Sequence, residues 1–166
     1  MENIIFIGMP TSGKSTIGVV VAKRLGFQFI DTDLLIQEQE GKLLCELIAE
    51  KGTDGFLAIE NQVNRDVDAT NAVIAPGGSV IYCREAMEHF KEIGTVVYLK
   101  MSYETLMSRI RDPQKRGVVL AEGQTMHMLY DERVQLFEQY AEVIFDEDQF
   151  EWEEMPDRVL EALEDL

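Results

Sequence analysis

The 166 residues suffice for one well-buried domain and are too few for two ordinary ones. Apolar residues make up 46% of the chain, so a sizeable core is possible, while a formal charge of −16 repels nucleic acid and anionic membranes. No apolar run approaches the roughly 20 residues that a membrane-spanning helix requires, and a strand begins almost at the N-terminus with no leader pattern. The expectation is a single cytoplasmic domain over residues 1–166, monomeric, with neither nucleic acid nor membrane as partner. Cys45 and Cys83 form no C-x-x-C pair and have no histidine at ligand spacing, so both are expected to be buried, reduced thiols.

In chain order, Asn3–Ile7 reads as a buried strand and Lys14–Leu25 as an amphipathic helix stopped by Gly26. Phe27–Asp31 is a short strand, and helices are expected at Asp33–Glu40, Leu43–Lys51 and Asp54–Asp68, the first two ending at Gly41 and Gly52. Ala72–Ala75 is the third strand, Arg84–Glu92 a helix closed by Gly94, and Thr95–Leu99 the fourth strand. Tyr103–Arg111 is helical. Residues 112–123 are polar, hold Pro113, Gly117 and Gly123, and read as a mobile lid. Gln124–Tyr140 is a long helix, Val143–Phe145 the fifth strand, Asp146–Glu154 an acidic solvated surface, and Pro156–Leu166 the closing helix. Short apolar strands alternating with helices predict an α/β fold with a parallel sheet covered on both faces. Ligands in such folds lie beyond the carboxyl ends of the strands.

Chemistry-bearing residues follow three of those strands. Gly8-Met9-Pro10-Thr11-Ser12-Gly13-Lys14-Ser15-Thr16 fits G-x-x-x-x-G-K-[ST] between a strand and a helix. Loop N–H groups and the positive helix end form an anion site, Lys14 reaches the β- and γ-phosphates, and the Ser15 hydroxyl ligates Mg²⁺. Thr11 and Ser12 stand where many such loops carry glycine. Asp31 and Asp33 close the second strand; at that spacing two carboxylates point roughly the same way. They divide metal holding from hydroxyl orientation, unless Asp33 serves only as the next helix's N-cap. Gly77-Gly78-Ser79 after the third strand lets the backbone approach a ligand closely, or is simply a tight turn. Lys115 and Arg116 in the lid, with Arg109 before it and Arg133 after it, are candidate phosphate or substrate cations in a strongly acidic chain.

The order of the phosphate loop, Phe29-Ile30-Asp31-Thr32-Asp33, Gly77-Gly78, a lid arginine, then Asp131-Glu132-Arg133 before Leu136-Phe137 resembles the shikimate kinase family across essentially the whole chain. The resemblance implies a three-layer α/β/α P-loop kinase fold. Its five-stranded parallel sheet has the order 2-3-1-4-5, with substrate-binding helices over about residues 33–68 and a lid over ATP. It implies that Lys14 and Ser15 serve phosphates and Mg²⁺, that Asp31 holds Mg²⁺ through water, and that Asp33 holds the acceptor hydroxyls and acts as or near the base. Gly77 and Gly78 then pack on the substrate, Arg109 lies near adenine, Arg116 reaches the phosphates, and Arg133 grips the substrate carboxylate.

The sequence also departs from that family. Its members typically read Phe-Arg-x-x-Glu in the third helix, where this chain reads Phe56-Leu57-Ala58-Ile59-Glu60. Ser79 replaces a third glycine, and Arg116-Gly117 replaces Arg-Pro in a short lid. Leucine cannot give the bidentate grip of a guanidinium on a carboxylate. The resemblance still makes shikimate the first acceptor expected. A less anionic or ammonium-bearing hydroxyl compound (a hydroxy amino acid, polyol or gluconate-like molecule) is the alternative, and a nucleotide-binding module without chemistry is the remaining one. Arg65, two turns beyond Leu57, is the distant candidate for a replacement cation.

Overall fold

The computed structural model describes residues 3–112 and 118–165. Residues 113–117 of the expected lid, with Lys115, Arg116 and Gly117, lie outside the described residues. Five parallel strands, β1 (Asn3–Ile7), β2 (Gln28–Asp31), β3 (Ala72–Ala75), β4 (Gly94–Lys100) and β5 (Val143–Asp146), form one sheet in the order β2-β3-β1-β4-β5. The helices are α1 (Lys14–Leu25), α2 (Thr32–Glu40), α3 (Leu44–Arg65), α4 (Arg84–Ile93), α5 (Tyr103–Arg109), α6 (Met126–Tyr140) and α7 (Met155–Glu164). The three-layer architecture expected from the strand–helix alternation is the one found.

Strand periodicity sorts β1 onto two cores. Ile4 and Phe6 pack with Ile17 and Val21 of α1 and Val159 of α7, whereas Ile5 and Ile7 pack with Met87 and Phe90 of α4 and Phe137 of α6. The buried Asn3 side chain donates to Ala69 O (2.7 Å) and Ile93 O (3.0 Å) and accepts from Ala72 N (2.9 Å), tying β1 to the chain entering both neighbouring strands. A third, smaller core of Ile36, Leu47, Phe56 and Val63 joins α2 to α3 and supports one wall of the cleft described below.

The two helices expected at Leu43–Lys51 and Asp54–Asp68 are the two parts of α3, separated as expected by a kink at Gly52. There φ 72° and ψ 178° interrupt the ladder, and glycine adopts them without a side-chain clash. Gly94 closes α4 as expected, its N–H donating to Phe90 O. The same residue begins β4 in extended backbone, where a Cβ would lie 2.2 Å from Asn3 O. Helix α6 starts at Met126 because the Thr125 side chain caps it by accepting from Met128 N. Cys45 is exposed, contrary to expectation, and Cys83 is buried; neither is in a disulfide.

Candidate active site

The register of the sheet assembles the site. Asp31 pairs with Ala75 and Ile7 with Tyr98, so the turns after β1, β2 and β3 open side by side at the carboxyl edge. They line a cleft of about 770 Å³ with the loop residues Thr11, Gly13, Lys14 and Ser15, the carboxylates Asp31 and Asp33, and Gly77 and Gly78. Pro10, Thr16 and Arg109 complete its lining on the loop side. Gly13 is the N-cap of α1 in the left-handed region at φ 85°, which frees the first N–H groups of the helix toward the cleft. Thr11 is also left-handed, at φ 70°. For a β-branched residue that conformation carries a cost of order 1–3 kcal/mol, held in place by the surrounding loop.

Lys14 folds back over its own loop. Its Nζ donates to Gly8 O and Met9 O, both at 2.9 Å, and lies 3.5 Å from Ser12 Oγ. Burial lowers its pKa to about 8, with Asp33 opposing the shift. Ser15 Oγ donates to Asp31 Oδ2 at 3.3 Å. A hydroxyl beside a carboxylate at the foot of a phosphate loop is a hard-oxygen pair suited to Mg²⁺, which takes one or two protein ligands and completes its shell with phosphates and water. No group of three or more His, Cys, Asp or Glu able to hold a metal occurs among the described residues, consistent with that sparse donor set.

Asp31, not Asp33, caps α2: its Oδ1 accepts from Asp33 N (3.0 Å) and Leu34 N (3.4 Å). Asp33 belongs to the first helical turn rather than to the strand, so strand alternation does not set its direction. Freed from capping, Asp33 projects toward Gly77. A Cβ on Gly77 would sit 2.7 Å from Asp33 Oδ1 and 3.0 Å from Glu60 Oε2. Asp33 Oδ1 and Glu60 Oε2 are both buried and have no hydrogen-bond partner among the described residues. Burial, reinforced by Asp31 and opposed by Lys14, raises Asp33 to about 6. Burial likewise raises Glu60 to about 7, against the pull of the Ser79 hydroxyl, which donates to Glu60 Oε1 at 2.7 Å. The third residue of the Gly-Gly-Ser turn thus holds a carboxylate in place.

Arg133 enters from α6 and is only 5% exposed. Its Nη1 lies 3.2 Å from where a Gly78 Cβ would be, and its guanidinium lies 5.6 Å from the Tyr82 ring centroid. Its Nε has no partner among the described residues. Arg133, Ser79, Leu57 and Tyr82 line a second pocket of about 390 Å³, walled otherwise by Phe56, Ile48, Val119 and Leu120. Leu57 therefore lines the same pocket as Arg133. Arg65 does not: it lies on the surface and pairs with Asp66 (3.0 Å) and Glu85 (3.3 Å). Arg133 is the one cation lining this second pocket among the described residues. Arg116 lies outside those residues.

Two residues went unnoticed in the sequence because they sit in the acidic run 146–154, read as solvated surface. Glu147 is 1% exposed, and its Oε1 lies 3.5 Å from Arg109 Nη1. Trp152 lines the cleft beside Arg109, whose guanidinium stands 5.2 Å from the indole centroid, and packs on Gly13. The lone tryptophan of the chain inside a run of carboxylates was the available signal.

A profile of the family described as shikimate kinase matches residues 10–164. Among curated relatives, a shikimate kinase of Persephonella marina is 33% identical over 140 residues, covering 84% of this chain and 85% of the relative. One of Clostridium botulinum strain 657 is 35% identical over 148 residues, covering 87% of each. The crystal structure of shikimate kinase from Aquifex aeolicus superposes with a TM-score of 0.83 at 28% identity, over 98% of this chain and 96% of that one. A shikimate kinase from Acinetobacter baumannii in complex with shikimate shares the fold with a TM-score of 0.84, at 23% identity over 98% and 93% of the two chains. With the family profile matching residues 10–164 and these curated relatives 33–35% identical over most of their length, the chain belongs to the shikimate kinase family.

Proposed function

We propose that this protein transfers the γ-phosphoryl group of ATP to a hydroxyl of shikimate. The observation that carries the reading is the position of Asp33. It offers a buried carboxylate oxygen without a partner among the described residues, aimed at the open side of Gly77 and electrostatically coupled to the loop lysine. A hydroxyl seated there donates to Asp33 and turns its lone pair toward the phosphate cradle. Orientation of that kind, with charge stabilisation, is most of what phosphoryl transfer asks of a protein.

The remaining roles follow from geometry and charge. The N–H groups of Gly13–Thr16 and the Lys14 ammonium hold the phosphates. Lys14 exchanges its contacts with Gly8 O and Met9 O for phosphate oxygens. Ser15, with Asp31 acting through water, would hold Mg²⁺, which when bound neutralises charge on the phosphate oxygens. Helices over residues 33–68 supply the acceptor wall: Glu60, fixed by Ser79, takes a second hydroxyl, and Gly77 and Gly78 leave room for the ring. Arg133 takes the acceptor carboxylate with its free Nε face. Arg109 and Trp152 border the base, and the lid over residues 112–123 brings Arg116 to the transferring group and excludes water. The reading is of a cytoplasmic monomer that engages no nucleic acid, supported by the charge of −16.

One observation favours a second acceptor class. Leu57 supplies no charge to a pocket lined by both Arg133 and Glu132, and Glu60 beside Arg133 keeps one oxygen without a partner among the described residues, so an acceptor bearing an ammonium group fits the balance of that wall. Purified protein with Mg-ATP and a panel of shikimate, homoserine, gluconate and amino polyols separates the readings. Turnover of shikimate with the highest kcat/KM supports the first. Preference for an ammonium-bearing acceptor supports the second. ATP binding with no turnover of any acceptor supports a module without chemistry and overturns both.

A further inference from the structure

We propose that Glu147 is a positioning residue for the nucleotide half of the site: its buried carboxylate fixes the Arg109 guanidinium, and through it the Thr11 carbonyl of the phosphate loop and the face of Trp152. The inference rests on the reading of residues 8–16 as the ATP site.

Glu147 opens a single 3-10 turn, Glu147–Gln149, immediately after β5. Its side chain is 0% exposed in a chain whose other acids mostly face water. A carboxylate is buried at considerable cost unless it is paired. Its partner is Arg109 Nη1, at 3.5 Å from Oε1. The same nitrogen donates to Thr11 O at 3.2 Å and lies 3.7 Å from Met101 Sδ. The guanidinium plane then meets the Trp152 indole, which covers Gly13. One cation thus joins β5, α5, the phosphate loop and the turn at Trp152–Glu154, and the acid beneath sets its orientation.

The contact with Thr11 gives this arrangement its consequence. Thr11 holds a left-handed backbone that a threonine rarely adopts, so its peptide needs an external restraint. A phosphate loop works by presenting N–H groups to the anion. A carbonyl free to turn inward would bring the negative end of a peptide dipole toward the phosphates. Arg109 engages that carbonyl, and Glu147 keeps Arg109 there. Glu147 does not line the cleft; its contact with the phosphate loop runs through Arg109, beside a weaker through-space attraction to Lys14.

A double-mutant cycle tests this, with Mg-ATP affinity measured by calorimetry and steady-state KM and kcat measured alongside. In the otherwise wild-type chain, Glu147→Ala is expected to weaken ATP about tenfold and Glu147→Gln, which keeps an acceptor, about threefold, with the acceptor KM unchanged. In an Arg109→Ala background, Glu147→Ala is expected to change ATP affinity less than about twofold, because the partner is gone. Emission of the lone Trp152 in free Glu147→Ala is expected to match that of Arg109→Ala, since both lose the stacked guanidinium. Equal weakening with and without Arg109, or no weakening in the wild-type background, overturns the proposal. Should Glu147→Ala fail to fold, the same cycle with Glu147→Gln decides by the same criterion. Wild-type protein that binds no ATP contradicts the nucleotide site itself, a result distinct from additivity in the cycle.

Discussion

Gly77→Ala is the smallest change that reaches the reacting position. The added methyl would stand 2.7 Å from Asp33 Oδ1 and 3.0 Å from Glu60 Oε2, in the gap between the two unpaired oxygens. A carbon and an oxygen in weak contact rest at about 3.3–3.6 Å, so the overlap with Asp33 is about 0.6 Å. Asp33 sits in the first turn of α2, anchored by the Asp31 cap, and relieves the clash by turning its carboxylate away from the cleft. Overpacking of this kind costs about 1–3 kcal/mol in stability, a fall in Tm of about 2–12 °C for a chain of this size. Activity suffers more, because a misplacement of about 1 Å at a reacting group costs on the order of a hundredfold. The expected outcome is a loss of about a hundredfold in kcat/KM for the acceptor, with the KM for ATP within about twofold, since the loop from Gly8 to Ser15 is untouched. Gly78→Ala is the control: its methyl meets Arg133 Nη1 and Pro10 Cδ at 3.2 Å, where a long side chain can yield, so a loss of about tenfold or less is expected. A coupled assay of ADP release against acceptor concentration measures both. If Gly77→Ala retained kcat/KM within about threefold of wild type, the reacting hydroxyl would not sit between Asp33 and Glu60.

Three further outcomes follow from the same geometry. Lys14→Ala is expected to reduce kcat by at least about a thousandfold with the fold retained, read by the same assay and by thermal unfolding, because the ammonium sits inside the loop itself, on Gly8 O and Met9 O. Arg133→Ala is expected to raise the acceptor KM by about tenfold to a hundredfold and leave ATP affinity unchanged, consistent with loss of a charge-assisted hydrogen bond of about 1.5–3 kcal/mol. Stability should carry an inverted pH signature. Asp33, Glu60 and Glu147 all have folded pKa values raised by burial, to about 6, 7 and 7. Between their ordinary carboxylate values and those raised ones the folded chain holds more protons than the unfolded chain, so these groups lower stability as pH rises from about 4 to 7. Denaturant midpoints across that range check it: Glu147→Gln should flatten the decline, and an unchanged slope would mean the carboxyl is not protonated on burial.

Much of this site was written locally. The phosphate loop, the Asp31–Asp33 spacing and the Gly77-Gly78 turn each lie within a few residues at a strand end, where the strand–turn–helix context fixes their direction. Arg133 was legible because the residues around it carry a family pattern. What escaped depends on packing between distant segments. The capping role falls to Asp31 because β2 ends with its side chain over the α2 amides, a matter of one residue in the strand end that propensity leaves open. Glu147 and Trp152 looked like surface since every neighbour is polar, yet β5 delivers them under and onto the phosphate loop through Arg109, a residue 38 positions from Glu147. Gly52 ends the first helix as expected; that the next one continues from it directly reflects the Leu47–Phe56 core shared by residues on both sides.

The most direct test of phosphoryl transfer through Asp33 is the initial rate of product formation from Mg-ATP and shikimate, with the phosphorylated product followed by phosphorus NMR, for wild type and Asp33→Asn side by side. The asparagine keeps shape and burial but cannot accept the hydroxyl proton. The account predicts turnover by the wild type and a loss of about a thousandfold or more in the variant, with ATP affinity preserved. A variant that forms the product at a rate near wild type would contradict it.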